Sequence, residues 1–204
     1  MGFGSILTVA ADLVYLSWGG FCLAFLLRKR PPKSAVAKRD PAARLGIVLQ
    51  AAAYGMIWSL QRSSWPHVLP PPRAVEEAMA IFAVPLAMAS VWLTIAAVRT
   101  LGKQWSYEAR LVEGHRLIVG GPYSHMRHPI YTAMLGLLVA TGLVLAHWIA
   151  LVIAIVIFGI GTTIRVRAEE KLLREAFGED FDAYARYVPA ILPRFHATST
   201  AAQE

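Results

Sequence analysis

Cysteine and charge are scarce in this chain. Its 204 residues include one cysteine, Cys22, inside an apolar run, so neither a disulfide framework nor a thiolate metal cluster can be built from the chain alone. Charged residues make up only 16% and hydrophobic ones 56%, with a mean hydropathy of +0.49. A soluble domain carries about 25% charge and roughly 45–50% apolar residues, so these values exclude an ordinary soluble domain and point to an integral membrane protein. No glycine-rich dinucleotide fingerprint is present. The run Ser5–Leu27 lacks a basic start and a small-residue cleavage pattern, and is expected to be a retained span rather than a cleaved leader. There is no internal repeat. The net charge of +7 does not form a basic face interleaved with stacking aromatics. Lys and Arg gather beside apolar segments, a pattern of membrane orientation rather than of a nucleic-acid partner.

A membrane-crossing helix needs about 20 mostly apolar residues. Ser5–Leu27, Leu45–Leu60 with its flanks and Glu77–Val98 read as spans one to three. Pro129–Ile164 is nearly all apolar but is interrupted by His147 and Trp148, which predicts two short helices joined by a tight turn. The expected fold is therefore all-α and polytopic, a single membrane domain over 1–204 with about five spans. Pro85 should kink span three. The proline-rich loop Pro66–Pro72 is expected to be an extended external connection. The loop holding Arg28, Lys29, Arg30, Lys33, Lys38, Arg39 and Arg44 is far more basic than the one after Leu60. The positive-inside bias puts it in the cytoplasm, leaving the N-terminus outside and the C-terminus cytoplasmic, with a bacterial inner membrane as the expected compartment. The loop Arg99–His128 and the tail after Arg165 then share the cytoplasmic side. In that tail Leu173, Phe177, Phe181, Tyr184 and Val188 make one apolar stripe, an amphipathic helix expected on the membrane surface or over the site, broken locally at Gly178. Residues 196–204 are expected to be disordered.

Two polar stretches stand out against this apolar background. Gly121-Pro-Tyr-Ser-His-Met-Arg-His-Pro-Ile-Tyr131 lies between apolar runs, and Arg165, Glu169 and Glu170 follow span five without a loop. Pro129 drives His128 from helical geometry and suits the first helical position, so span four should start there with free N–H groups facing an anion. Arg127 adds a forked donor suited to a carboxylate, with His125 and His128 beside it. Arg165 and Glu169 are i and i+4 neighbours, and Glu170 points about 100° further round. Two carboxylates at a membrane helix C-terminus are costly, and a cationic group would relieve them. The set suits a zwitterion. Lipid-headgroup anchoring and a surface ion pair are the ordinary alternatives. Asp12 is expected to snorkel, and His67 and His147 are too isolated for a metal site. His115 reads as a solvated loop residue, and Trp105 and Trp148 as interfacial anchors.

From about Leu101 to Pro193 the order of these residues resembles the isoprenylcysteine carboxyl methyltransferase and phospholipid methyltransferase superfamily of integral membrane enzymes. The features are Leu101-Gly-Lys-Gln-Trp-Ser106, Glu113-Gly-His-Arg-Leu117, Gly121-Pro-Tyr123, Arg127-His-Pro-Ile-Tyr131, Arg165 with Glu169 and Glu170, and Phe177-Gly followed by Tyr184, Tyr187, Val188 and Pro189. Ala133 departs from the glycine often found there. The resemblance implies S-adenosylmethionine as methyl donor in a cytoplasm-facing pocket, with a lipophilic or lipid acceptor entering from the bilayer. The donor-binding residues it implies are Tyr123, His125, Arg127, His128, Pro129, Tyr131, Glu169 and Glu170. Arg165 would position an anionic acceptor, while His128 or Glu170 would deprotonate an amine. Residues 1–99 would hold the acceptor-side spans and 100–195 the donor site. A reduced-nicotinamide-dependent reductase of the sterol type and a non-catalytic scaffold are the competing readings. Neither the oligomeric state nor the acceptor is legible.

Overall fold

The computed structural model describes residues 3–27, 36–39, 42–62, 70–102, 110–112 and 116–193. Six α-helices dominate them: α1 (Phe3–Leu26), α2 (Ala42–Ser59), α3 (Arg73–Leu101), α4 (Pro129–Leu145), α5 (Trp148–Phe177) and α6 (Glu179–Tyr187). The readings of His67, Trp105, His115, most of the loops 28–41 and 63–72, and the tail 194–204 fall outside the described residues.

Among the described residues three helices are long and apolar enough to cross a bilayer: Ile6–Leu26 within α1, all of α3 and all of α5. The protein is a helical membrane protein. α2, the second apolar run, has 18 residues, about 27 Å of helix, and is not among these three. Of the two short helices expected in the hairpin, only the first is short. The break falls at Ala146 and His147 as expected, but α4 has 17 residues and α5 has 30, so α5 extends about 45 Å. It runs unbroken through Arg165, Glu169 and Glu170 and stops at Gly178, whose φ of +53° suits glycine. Pro85 lies inside α3 without ending it.

Small residues bring the helices together. On α3 the buried positions Ala80, Ala83, Ala87, Ser90, Thr94 and Ala97 recur at alternating three- and four-residue spacing, which makes one seam along the helix. Ala43, Ala53 and Ile57 continue the same rhythm on α2 around Gly46 and Gln50. Lipid offers no hydrophobic reward for association, so close backbone approach and internal hydrogen bonds must supply it. At the α3–α4 contact a Cβ on Gly136 would fall 2.3 Å from Ser90 Oγ. Between α2 and α5 a Cβ on Gly161 would fall 2.8 Å from Gly46 O. Two hydrogen bonds cross between helices: Gln50 Nε2 donates to Thr162 Oγ1 at 2.9 Å, and Tyr54 Oη to Met134 O at 2.7 Å. Large apolar side chains such as Leu16, Ile81, Phe82 and Trp92 instead face outward, as a lipid-facing surface requires.

Each end of the bundle is tied across. At one end Arg62 pairs with Glu76 at 3.0 Å and donates to Leu143 O at 3.0 Å, and Gln61 bridges to Ala146. At the other end two short strands absent from the sequence reading, β1 (Val36–Arg39) and β2 (Arg110–Val112), pair antiparallel. They join the loop after α1 to the loop after α3. The starts of α2 and α4 lie at this same end with the end of α5, and Ala43 packs beside Ala168 and Leu172.

Candidate active site

The polar cluster forms where the start of α4, the second half of α5 and the segment after α6 meet. A 3-10 turn, Gly121–Ser124, leads into it. Gly121 has φ +58° and lies against α3: a Cβ there would be 2.9 Å from Thr100 Oγ1. Pro129 is the first residue of α4 and is buried, with His128 in the capping position, as the Pro rule predicts.

Arg127 reaches α5 and α6 together. Its Nε donates to Glu170 Oε1 at 2.8 Å and its Nη2 lies 2.8 Å from the same oxygen. Its Nη1 donates to Ala185 O at 3.0 Å and also to Val188 O. A planar fork can satisfy a carboxylate and two carbonyls at once where an ammonium cannot. The expectation that Arg127 waits for an external anion is thus corrected, because its donors already serve Glu170 and the end of α6.

The backbone expectation needs the same correction. Arg127 N–H donates to Pro189 O at 2.8 Å and His128 N–H to Ala190 O at 2.9 Å, so these groups are not free to meet an anion. Thr132 Oγ1 extends the pattern to Ile191 O at 2.6 Å. The segment after α6 is therefore a strap over the first turn of α4. Tyr184 Oη donates to Tyr123 O at 2.6 Å and fastens α6 to the 3-10 turn. Burial raises the pKa of both phenols, that of Tyr184 to about 12 with Arg127 opposing the rise and Glu170 adding to it. Both remain donors at neutral pH.

His128 is buried between the two carboxylates. Its Nε2 lies 3.2 Å from Glu170 Oε1 and its Nδ1 3.4 Å from Glu169 Oε2. Burial alone lowers the imidazole pKa, but the hydrogen bonds and charges of Glu169 and Glu170 outweigh it and raise the value above the ordinary one. Tyr131 Oη donates to Glu169, its ring stacks on His128 with centroids 5.7 Å apart, and the Arg165 guanidinium lies 5.1 Å over it. Arg165 Nη2 approaches Glu169 Oε1 at 3.5 Å, the expected i,i+4 pair. Glu170, turned further round α5, takes Arg127 instead.

Six of the sequence-derived residues therefore converge: Arg127, His128, Tyr131, Arg165, Glu169 and Glu170. Pro129 starts the helix that presents them, and Tyr123 is buried beneath α6 with its carbonyl facing Tyr184. His125 does not join them. It is exposed and bonds its neighbour Ser124 at 2.9 Å. Among the described residues no cluster of three or more His, Cys, Asp or Glu is arranged to hold a metal ion. An open cavity of about 610 Å³ adjoins the cluster, lined by Arg127, Glu170, Arg174, Glu179, Asp182 and Arg186 with Ala185. Both signs of charge line it, which is the donor set a zwitterion needs.

Sequence reading placed α2 as the second apolar run but missed that it walls the site. Gly46 lies directly on the stem of Arg165, and the only prior signal was the three- and four-residue spacing of small residues on that helix.

Comparison with known proteins follows the same residues. Residues 81–175 match the profile of the Isoprenylcysteine carboxyl methyltransferase (ICMT) family. Protein-S-isoprenylcysteine O-methyltransferase B of Arabidopsis thaliana is 33% identical over 100 residues, 48% of this chain and 50% of that protein. A probable protein-S-isoprenylcysteine O-methyltransferase of Oryza sativa subsp. indica is 32% identical over 99 residues, 48% and 52% of the two chains. The Nickel-cobalt-cadmium resistance protein NccN of Alcaligenes xylosoxydans xylosoxydans is 32% identical over 120 residues, 56% of this chain and 55% of that protein. The alignments span about half the length of these curated relatives.

Proposed function

We propose, from the match of residues 81–175 to the isoprenylcysteine carboxyl methyltransferase family, that this membrane protein transfers a methyl group from S-adenosylmethionine to a lipophilic acceptor, an isoprenylcysteine-type carboxylate or lipid, at the cytoplasmic face. The observation that carries the reading is the cluster in which Arg127, His128 and Tyr131, at the start of α4, meet Arg165, Glu169 and Glu170 where α5 outruns a bilayer. About 20 residues of helix cross the hydrocarbon core. Counted from Trp148, that length ends near Arg167, so the carboxylates sit at the interface, reachable from lipid and from water.

S-adenosylmethionine supplies, when bound, an electrophilic methyl group on a sulfonium. The cavity beside Arg127 and Glu170 offers carboxylates for its ammonium and ribose hydroxyls and guanidinium groups for its carboxylate. Glu170 faces both this cavity and His128. Arg127 holds Glu170 and the end of α6 in place, and through the latter the cavity wall. His125, outside the cluster, would reach a ligand only from the rim. On the other side Arg165 lies over Tyr131, placed to hold an anionic acceptor group.

An ionised carboxylate needs no general base, and displacement at the methyl carbon then depends on alignment and on exclusion of water. An amine must first lose a proton. His128 already turns both ring nitrogens to Glu169 and Glu170, which leaves it badly placed to take a proton from an amine. That balance favours the carboxylate acceptor. The five-span arrangement, with the N-terminus outside and the C-terminus cytoplasmic in a bacterial inner membrane, accompanies the proposal. The pairing of β1 with β2 supports it, since it needs both loops on one side.

The test is methyl transfer from labelled S-adenosylmethionine by purified protein in liposomes, offered an S-prenylated N-acetylcysteine or the amine headgroup of phosphatidylethanolamine. Base-labile label on the cysteine derivative supports the carboxylate reading, and label in the headgroup replaces it with the amine reading. Folded protein that labels neither contradicts methyl transfer to these acceptors.

A further inference from the structure

The wall that α2 contributes to the site carries no charge, yet it decides where one charge can go. A Cβ at Gly46 would fall 2.4 Å from Arg165 Cγ, 3.4 Å from its Cδ and 2.6 Å from Gly161 O. The aliphatic stem of Arg165 therefore runs against bare helix backbone, with no room for even a methyl group between them. One turn further along α2, Gln50 donates to Thr162 Oγ1 at 2.9 Å in a buried pair, and Thr162 is three residues before Arg165. A hydrogen bond between two helices fixes their relative height as well as their separation, because sliding either one breaks it. Ala43 against Ala168 and Leu172 closes the contact on the other side of Gly46. The guanidinium beyond this confined stem lies over the Tyr131 ring at 5.1 Å and beside Glu169 at 3.5 Å.

An unconfined arginine side chain samples many rotamers. Here the stem is walled by α2, and its head rests on an aromatic face and a carboxylate. We infer that Gly46, held in register by Gln50 and Thr162, is a positioning residue that sets the Arg165 guanidinium for the anionic group of the methyl acceptor. The inference rests on the proposed function, in which Arg165 aligns the acceptor. Displacement at a methyl carbon demands close alignment of the attacking oxygen, and a misplacement of about 1 Å costs on the order of a hundredfold in rate.

The substitution to make is Gly46→Ala, with Gly161→Ala as its packing comparator. At Gly161 a Cβ would meet Gly46 O at 2.8 Å, Leu49 Cβ at 2.9 Å and Gln50 N at 3.2 Å. It strains the same helix pair, but no Arg165 atom is among its nearest neighbours. The first readout is stability in mixed micelles, each variant made with and without Arg165→Ala. Gly46→Ala should cost less once the Arg165 stem is gone, whereas Gly161→Ala should cost the same in both backgrounds. Equal costs for Gly46→Ala in the two backgrounds overturn the inference, because a double-mutant cycle reports contact only through such a difference. The second readout is methyl transfer to an S-prenylated N-acetylcysteine. Gly46→Ala should lower kcat/KM for the acceptor by about tenfold or more, with S-adenosylmethionine affinity little changed and a smaller loss in Gly161→Ala. Equal losses in the two variants make helix spacing, not Arg165, the cause and overturn the inference. Absence of transfer by the unsubstituted protein counts against the proposed function, and the stability cycle then decides the positioning claim by itself.

Discussion

Replacing Arg127 by lysine keeps the charge and removes the fork. In the native site one guanidinium serves Glu170 through Nε and Nη2 and the carbonyls of Ala185 and Val188 through Nη1. Its side chain is 13% exposed and that of Glu170 16%, so water is a poor substitute for a lost contact. A lysine ammonium can meet Glu170 or the carbonyls of α6, but its length and point geometry do not allow both. The loss is one charge-assisted hydrogen bond and at least one bond to a carbonyl. At roughly 1.5–3 kcal/mol for the first and near 1 for the second, Arg127→Lys should destabilise the fold by about 3 kcal/mol. The comparator is Arg174→Lys. Arg174 pairs with Asp182 at 2.7 Å, but both side chains are more than half exposed, and such a pair contributes little. Unfolding titrations in mixed micelles measure both variants, and limited proteolysis reports whether α6 has come away. A cost for Arg127→Lys no larger than that for Arg174→Lys, with α6 still protected, would refute the reasoning that a mostly buried fork clasps α6 to the site.

Other predictions follow from single contacts. The raised pKa of His128 is a stability statement: its stabilisation is complete below its unfolded value of about 6.5 and is lost as pH rises through the folded value. Thermal midpoints should therefore fall above that range in the native protein and fall less in His128→Asn, and identical pH slopes in the two would contradict the assignment. Gly136→Ala should cost about 1–3 kcal/mol by overpacking against Ser90 Oγ, 2.3 Å from the new Cβ. Adding Ser90→Ala should restore most of it, and a double variant no more stable than Gly136→Ala would show that the strain lies elsewhere.

The legible parts of this fold were the local ones. The His147 interruption marked the turn between α4 and α5, because a polar pair cannot sit midway along a lipid-facing helix. Pro129 marked the start of α4 through its missing N–H. The run from Ile164 to Phe177, free of Gly and Pro, carried α5 through both carboxylates until Gly178 ended it. The five-residue spacing from Arg165 to Glu170 and the i,i+4 pair with Glu169 followed from helical periodicity alone. What stayed hidden were contacts between segments far apart in sequence. Nothing in the composition of Pro189–Ile191 says that its carbonyls will take the N–H groups of Arg127 and His128, since every residue has a carbonyl. Gly46 on Arg165 was equally silent, because a glycine signals room without naming its occupant. The short strands Val36–Arg39 and Arg110–Val112 carry no alternation, and only their pairing reveals them. His125 misled because it is two residues from Arg127 in sequence, while the 3-10 turn aims it to solvent.

In the proposed function this charged cluster binds S-adenosylmethionine through Glu170. Calorimetry on the detergent-purified protein, titrated with S-adenosylmethionine and S-adenosylhomocysteine, tests it most directly, with Glu170→Gln beside it. Both ligands should bind the native protein saturably and lose at least about tenfold in affinity for the variant, since a lost charged contact is worth roughly 1.5–3 kcal/mol. Folded native protein that binds neither ligand, or a Glu170→Gln variant that binds both unchanged, would contradict it.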